Sequence, residues 1–260
     1  MDGSLYIPDQ PFWESFTDEY VSCSTNTSGV PLQYYSFMMP QNTGKTLLAV
    51  PDGVVDIIFR CCNSNPMADV YGSVLKGKHI TFTEGSLYFG VRFLPGAAEP
   101  VLGCPLDQFT DQNVDLSEIY GDTNRLLDLI CSAETFDDKV QAFESYRSNR
   151  MMENEPVPYL VHEMLKRINA TNGNIKIQAL ADETGYTSRH LNNVFKKHVG
   201  VSPKFYERIV RFQRCLGHLC AQDDSDLTEL AHDAGYYDQA HFINEFKEFS
   251  MKTPSQVLCL

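Results

Sequence analysis

The chain has 260 residues, 43% of them hydrophobic and 12% aromatic, with eight cysteines and a formal net charge of −13, which is enough apolar material for two domains, each with its own core. It holds no run of about eighteen apolar residues and no basic-then-apolar leader, and its cysteines lack CxxC spacing, which argues against a membrane span, a signal peptide, a disulfide framework or a zinc finger. The acidity speaks against a polyanionic partner, but it is unevenly placed: residues 1–150 hold 9 Lys and Arg against 20 Asp and Glu, residues 151–260 hold 12 against 14, and six of the seven histidines fall in the second part. A soluble cytoplasmic protein with reduced thiols is expected, with an acidic first region and a nearly neutral second one.

From residue 47 to about residue 95 the sequence alternates short β-branched and aromatic runs, "VVDIIFRC", "DVYGSVL", "HITFT" and "LYFGVRFL", with turn-forming separators. In the last run Leu87, Phe89, Val91 and Phe93 alternate with Tyr88, Gly90, Arg92 and Leu94, so one face is apolar and the other mixed. The pattern predicts an antiparallel sandwich or small barrel with an interior. Trp13, Tyr34, Phe37, Tyr71 and Tyr88 are candidates to line an effector pocket there, with Arg92 pairing an anionic group; the competing role for the aromatics is core packing, and for Arg92 a surface ion pair. His79 is the one histidine before residue 160, too few for a metal-dependent site of clustered imidazoles. No G-x-S-x-G, P-loop or dinucleotide-binding fingerprint occurs. No catalytic residue, metal site or cofactor is expected, and the chain is read as a non-enzyme.

After Pro105 the period changes. Leu126, Leu127 and Ile130, then Phe136, Val140 and Phe143, fit two amphipathic helices that either cover the β-region or form a homodimer interface. The stretch "NRMMENEPVP", residues 149–158, has two prolines and no periodic apolar face, and divides a first domain, 1–150, from a second, 158–260. Everything after Tyr159 reads as helical, with Leu160, Met164, Leu165 and Ile168 on one face and Phe205, Ile209, Phe212 and Leu216 on another.

Within the second domain a pattern repeats. Leu180, Ala181 and Gly185 return fifty residues on as Leu230, Ala231 and Gly235; Thr187, His190, Leu191, Phe195 and Lys196 return fifty-one residues on as Asp238, His241, Phe242, Phe246 and Lys247. Each copy reads as a short helix, a glycine turn and a second helix capped by Thr187 or Asp238, which is the helix-turn-helix pattern. Asp226 with Glu229 resembles a capping box before the second copy's first helix. Leu191 with Phe195, and Phe242 with Phe246, point inward at i and i+4. Arg189, Asn192 and Asn193 in one copy, and Gln239, Ile243 and Asn244 in the other, then point outward. Arg suits guanine, and Asn or Gln suits adenine, in the major groove. Two copies that share a core and differ outside predict reading of two different half-sites about one helical turn apart. Lys196, Lys197, Lys204, Arg208, Arg211 and Arg214 are read as a phosphate clamp.

The two copies, "IQALADETGYTSRHLNNVFKKHVGVSPKFY" and "LTELAHDAGYYDQAHFINEFKEFSMKTPSQV", resemble the paired helix-turn-helix units of AraC/XylS-type transcriptional regulators over about the last hundred residues. The resemblance implies a joining helix near Pro203 to Cys220 and base contacts from Arg189, Asn192 and Asn193 in the first unit and Gln239, His241 and Asn244 in the second. Ser250 is read as standing where the family has glycine, as Gly200 is in the first unit, and is expected to take the strained turn after the helix. More weakly, "VPDGVVDIIF" and "LYFGVRFLPGAAEPVLGCPLDQFTD" resemble the cupin-like barrels that precede such units and bind an effector or dimerise. The implied architecture is α+β: an N-terminal β-rich cupin-like barrel with flanking helices, and a C-terminal all-α domain with two helix-turn-helix units. The implied partners are double-stranded DNA, a small-molecule effector, a second copy of the chain and RNA polymerase, with no membrane. The alternative is an acidic protein-interaction regulator whose units no longer bind DNA.

Overall fold

The computed structural model describes residues 7–8, 10–27, 30–41, 46–62, 65–151, 157–221 and 227–257. In the N-terminal region a short helix, α1 (Pro11–Glu14), precedes strands β1 (Asp18–Thr27), β2 (Val30–Met38), β3 (Thr46–Ala49), β4 (Val55–Cys61), β5 (Met67–Tyr71), β6 (Lys78–Thr81) and β7 (Leu87–Phe93). Helix α2 (Glu99–Leu102), a 3-10 turn at Leu106–Gln108, strand β8 (Asn113–Asp115) and helices α3 (Leu116–Tyr120), α4 (Asn124–Ser132) and α5 (Phe136–Met151) follow. The C-terminal region is helical: α6 (Tyr159–Ala170), α7 (Ile177–Thr184), α8 (Ser188–Val199), α9 (Pro203–Cys220), α10 (Leu227–Asp233), α11 (Gln239–Ser250) and α12 (Pro254–Val257). The fold is α+β. No helix among the described residues is long and apolar enough to cross a membrane.

The strands form a six-stranded antiparallel sheet in the order β1-β2-β7-β4-β5-β8, and a separate antiparallel pair, β3-β6. Because side chains alternate across a strand, the parity of each position decides its core. Leu32, Tyr34, Val55, Ile57, Phe59, Val70, Phe89, Val91 and Phe93 fill one face and pack with Leu126, Ile130 and Phe143 of α4 and α5. The apolar stripes of those two helices therefore cover the sheet of their own chain. They do not form an exposed surface for a second copy, although Leu129 stays outside.

Tyr35, Phe37, Ile58 and Tyr88 point to the opposite face, where Trp13, Leu47, Leu48, Ile80 and Phe82 join them. This second cluster runs on without a break into Met164, Ile168, Phe195, Tyr206, Phe212, Phe246 and Phe249 of the helical region. Sequence reasoning gave each domain a core of its own; instead the helical region shares its core with one face of the sheet. The segment 152–156, where the boundary was expected, lies outside the described residues.

Backbone groups take part in three polar contacts that reinforce this docking. Gln213 Nε2 on α9 donates to Pro51 O at 2.9 Å. Thr110 Oγ1 donates to Gly200 O, after α8, at 2.5 Å. Gly77 N donates to Glu248 O near the end of α11 at 3.1 Å. A Cβ at Gly77 would sit 2.8 Å from Phe249 O, so only glycine allows this approach.

Candidate nucleic-acid interface

Each helix-turn-helix unit is built by the same local devices. Helices α7 and α10 pack through Leu180 and Ala181, and through Leu230 and Ala231, all buried. Gly185 and Gly235 follow in the left-handed region at φ 74° and 83°, which reverses the chain at little steric cost. The Thr187 hydroxyl then accepts from His190 N at 3.2 Å, and the Asp238 carboxylate accepts from His241 N at 2.7 Å, capping α8 and α11 where the sequence predicts. Leu191, Phe195, Phe242 and Phe246 are fully buried. Asp226, read as a capping residue, lies outside the described residues.

The end of the second unit departs from expectation. Ser250 is the last residue of α11; its hydroxyl donates to Phe246 O and Lys252 O. The left-handed turn falls on Met251, φ 56°, the counterpart of Gly200 at φ 91°. The one-residue insertion in the second turn has already moved the register from fifty to fifty-one, so Gly200 corresponds to residue 251. The backbone strain of a non-glycine residue there belongs to Met251.

On the outer faces, Arg189, Asn193, Lys196 and Lys197 of α8 are exposed and Asn192 is half-buried; Gln239, His241 and Asn244 of α11 are exposed. Ile243 is partly buried against the core and does not share the outward position read for it. Two aromatic residues join these faces that sequence reasoning left out. Tyr186 is half-exposed and stacks on His190 at 4.8 Å between ring centroids. Tyr237 is 93% exposed, beside the Asp238 cap. The signal was their shared place in the repeat, directly before the capping Thr187 and Asp238.

The basic residues between the units divide into two sets. Arg208 donates to Glu245 Oε2 at 2.6 Å and Glu248 Oε2 at 3.0 Å, and stacks near Phe205 and Phe249. Arg211 donates to Gly173 O at 2.8 Å and lies 5.7 Å from the Tyr236 ring. Both brace the helical region, so neither is held out as the clamp requires. Lys197 Nζ lies 3.8 Å from Glu99 Oε1 on α2 but stays half exposed. Lys196 and Lys204 are exposed. Next to Lys197, buried His198 has Nδ1 3.3 Å from Glu99 Oε2; burial lowers its pKa, with Glu99 opposing.

Two buried carboxylates sit beside the joining helix. Glu245 is paired with Arg208 and accepts from the Tyr236 hydroxyl at 3.0 Å. Glu207 has one carboxylate oxygen without a hydrogen-bond partner among the described residues, and burial pushes its pKa up to about 7 against the pull of Lys204 and Arg211.

The structure separates the six residues read as an effector pocket. Tyr34 faces the α4–α5 side, where its hydroxyl donates to Glu144 Oε1 at 2.6 Å. Phe37 and Trp13 belong to an edge-on aromatic cluster with Phe82, and Trp13 Nε1 donates to Leu48 O at 3.1 Å. Arg92 is buried and already paired: its Nε donates to Asp56 Oδ1 at 3.1 Å, Asp52 Oδ2 is 3.8 Å away, and the guanidinium lies over Tyr35. It is therefore not a free anchor for an anion. Burial pushes Asp52 up to about 6, with Arg92 pulling it down. Trp13, Tyr71 and Arg92 line a void of only about 20 Å³. Tyr71 and Tyr88 do line a larger cleft, about 250 Å³, together with Arg60, Asp69, Phe82 and Asn113. Sequence reasoning missed Arg60 and Asp69, which lie on the face of β4 and β5 that carries Ile58 and Tyr71. Among the described residues no three His, Cys, Asp or Glu side chains converge as a metal site.

A family model described as a helix-turn-helix domain matches residues 180–258, and one described as a domain of unknown function, DUF6597, matches residues 32–115. The XylDLEGF operon transcriptional activator of Pseudomonas putida is 32% identical over 107 residues, 40% of this chain and 31% of the relative. The HTH-type transcriptional activator RhaS of Pectobacterium atrosepticum is 31% identical over 78 residues, 30% of this chain and 28% of the relative. A solved structure titled as a probable AraC family transcriptional regulator from Rhodopseudomonas palustris CGA009 covers 39% of this chain and 96% of its own at 25% identity, with a TM-score of 0.36. The matched region spans about a third of the length of these curated relatives. The repeat, the two capped turns and the family match agree: the C-terminal region of this chain belongs to the AraC/XylS family of helix-turn-helix domains.

Proposed function

We propose that the chain is a cytoplasmic, sequence-specific DNA-binding transcription regulator whose two helix-turn-helix units read different half-sites of one duplex. The observation that carries this reading is that α8 and α11 share capping and core positions yet present different polar residues outward: Arg189, Asn192 and Asn193 against Gln239, His241 and Asn244. Arg189 pairs guanine, the Asn and Gln residues pair adenine, and Lys196 and Lys197 meet phosphates. The N-terminal region holds a small-molecule effector in the cleft lined by Arg60, Asp69, Tyr71 and Tyr88; an effector that binds one docked arrangement better than another shifts the population competent for DNA. A homodimer and RNA polymerase complete the expected partners.

Selection of binding sites from a random duplex pool, repeated at two salt concentrations, tests this. The expected result is an enriched asymmetric site whose affinity falls steeply with salt. No enrichment, with or without candidate effectors, would reject it. The alternative, an acidic protein-interaction regulator, is favoured by the engagement of Arg208 and Arg211 within the fold, and would give binding to a protein partner with little dependence on salt.

A further inference from the structure

Cys61 packs on the side of the sheet opposite the shared core, the side that α4 covers. Cys61 ends β4, Cys62 follows it, and Cys131 lies in the last turn of α4. Cys131 Sγ donates to Arg60 O at 3.9 Å, directly beside Cys61 at the end of β4, and the two thiols are close enough to perturb one another. Cys62 instead donates to Asn65 O at 3.0 Å. All three residues are partly buried.

A third group completes the cluster. Lys139 of α5 is 3% exposed, and its ammonium donates to Ile130 O at 3.2 Å and to Ala133 O. It closes the carbonyl end of α4 and sets a positive charge beside Cys131, where the helix dipole alone would oppose a thiolate. Contact with Cys61 lowers the Cys131 pKa, with burial opposing and Lys139 assisting; the same contact and burial raise Cys61.

We propose that Cys61 and Cys131 form a reversible redox pair that a hydroperoxide oxidises to a disulfide linking β4 to α4. The Cys131 thiolate attacks the terminal peroxide oxygen; an S–O bond forms, the O–O bond breaks, and the alcohol, or water from hydrogen peroxide, leaves after protonation. The Cys61 sulfur then attacks the sulfenic sulfur, an S–S bond forms, and the hydroxyl leaves as water with the Cys61 proton. Each hydrogen peroxide consumed oxidises two thiols by two electrons. This inference is independent of the DNA-binding reading.

The test treats the reduced full-length chain with one equivalent of hydrogen peroxide, alkylates the remaining thiols and maps the peptides. The expected result is loss of two thiols, one linkage between Cys61 and Cys131, and recovery with dithiothreitol. Cys131→Ser is expected to slow thiol loss by about tenfold or more. Cys61→Ser leaves Cys131 as a sulfenic acid that dimedone traps. Cys62→Ser keeps the linkage, which separates the neighbouring thiols carried on one tryptic peptide. A linkage through Cys62 or Cys220, equal rates in wild type and Cys131→Ser, or no thiol loss would overturn the proposal.

Discussion

In the first helix-turn-helix unit α8 presents Arg189, Asn193, Lys196 and Lys197 to solvent and ends on Gly200; in the second, α11 presents Gln239, His241, Asn244 and Lys247 and ends on Met251. The inner positions hardly differ, since Leu191 and Phe195 answer to Phe242 and Phe246, all at zero exposure. Packing constrains the inner face, so repeats diverge where side chains meet solvent. The cations are concentrated in the first unit. Glu248, on the second unit's α11, already binds Arg208. On the proposed reading the first unit is expected to supply more of the salt-dependent affinity, and each unit its own base preference.

The largest effects fall on what the units share. Phe195→Ala and Phe246→Ala are each expected to cost about 3–5 kcal/mol, as for other buried aromatics. Because one apolar cluster spans both units and the sheet face, denaturant unfolding followed by fluorescence and by circular dichroism should shift as a single transition in both variants. Two separated transitions would break the view of a shared core.

The buried carboxylates come next. Glu245 is paired with Arg208, one oxygen of Glu207 has no hydrogen-bond partner among the described residues, and the Glu207 pKa is raised to about 7. Its folded form holds the proton more tightly than the unfolded form. Stability from this group is present below about pH 4.3 and is lost as pH rises through about 7, a difference on the order of 4 kcal/mol. Glu207→Gln should therefore be more stable than wild type at pH 8, with the gap closing by pH 5, in thermal melts across that range.

Base-reading substitutions should weaken specific DNA by about 1–3 kcal/mol each, measured by fluorescence anisotropy: Arg189→Ala in the first unit and Gln239→Ala in the second. Phosphate contacts should act differently. Replacing Lys196 and Lys197 together by Ala should reduce the slope of log affinity against log salt by about 2, and Lys247→Ala by at most about 1. Equal slopes would remove the asymmetry between the units. The smallest effect is at the C-caps: Met251→Gly should stabilise by up to about 1 kcal/mol and Gly200→Ala destabilise by a similar amount, read as opposite shifts of the urea midpoint.

The helical half was legible because its signals are local: caps, glycine turns and i, i+4 apolar pairs all lie within a few residues. Helix α9 runs from Pro203 to Cys220, as the resemblance implied. Strands β1 and β2 were not assigned from sequence. β1, "DEYVSCSTNT", is a polar edge strand with no apolar alternation, and β2 is buried on both faces over Tyr34–Phe37, which hides its period. The effector candidates are divided by parity: Tyr34 and Phe37, three apart on one strand, must face opposite ways. Arg92, Arg208 and Arg211 were read as available cations, but their partners Asp56, Glu245 and Gly173 are distant in sequence. The docking of the two regions through Gly77, Thr110 and Gln213 likewise depends on long-range contacts that no local pattern announces.

The most direct test of the central claim is base preference, position by position, on the selected duplex for the wild type, Asn192→Ala and Asn244→Ala. The account predicts two boxes about one helical turn, roughly 34 Å, apart, with Asn192→Ala relaxing an adenine preference in one box alone and Asn244→Ala in the other alone. Loss confined to the same box in both variants, or unchanged preference in both, would contradict reading by two distinct units.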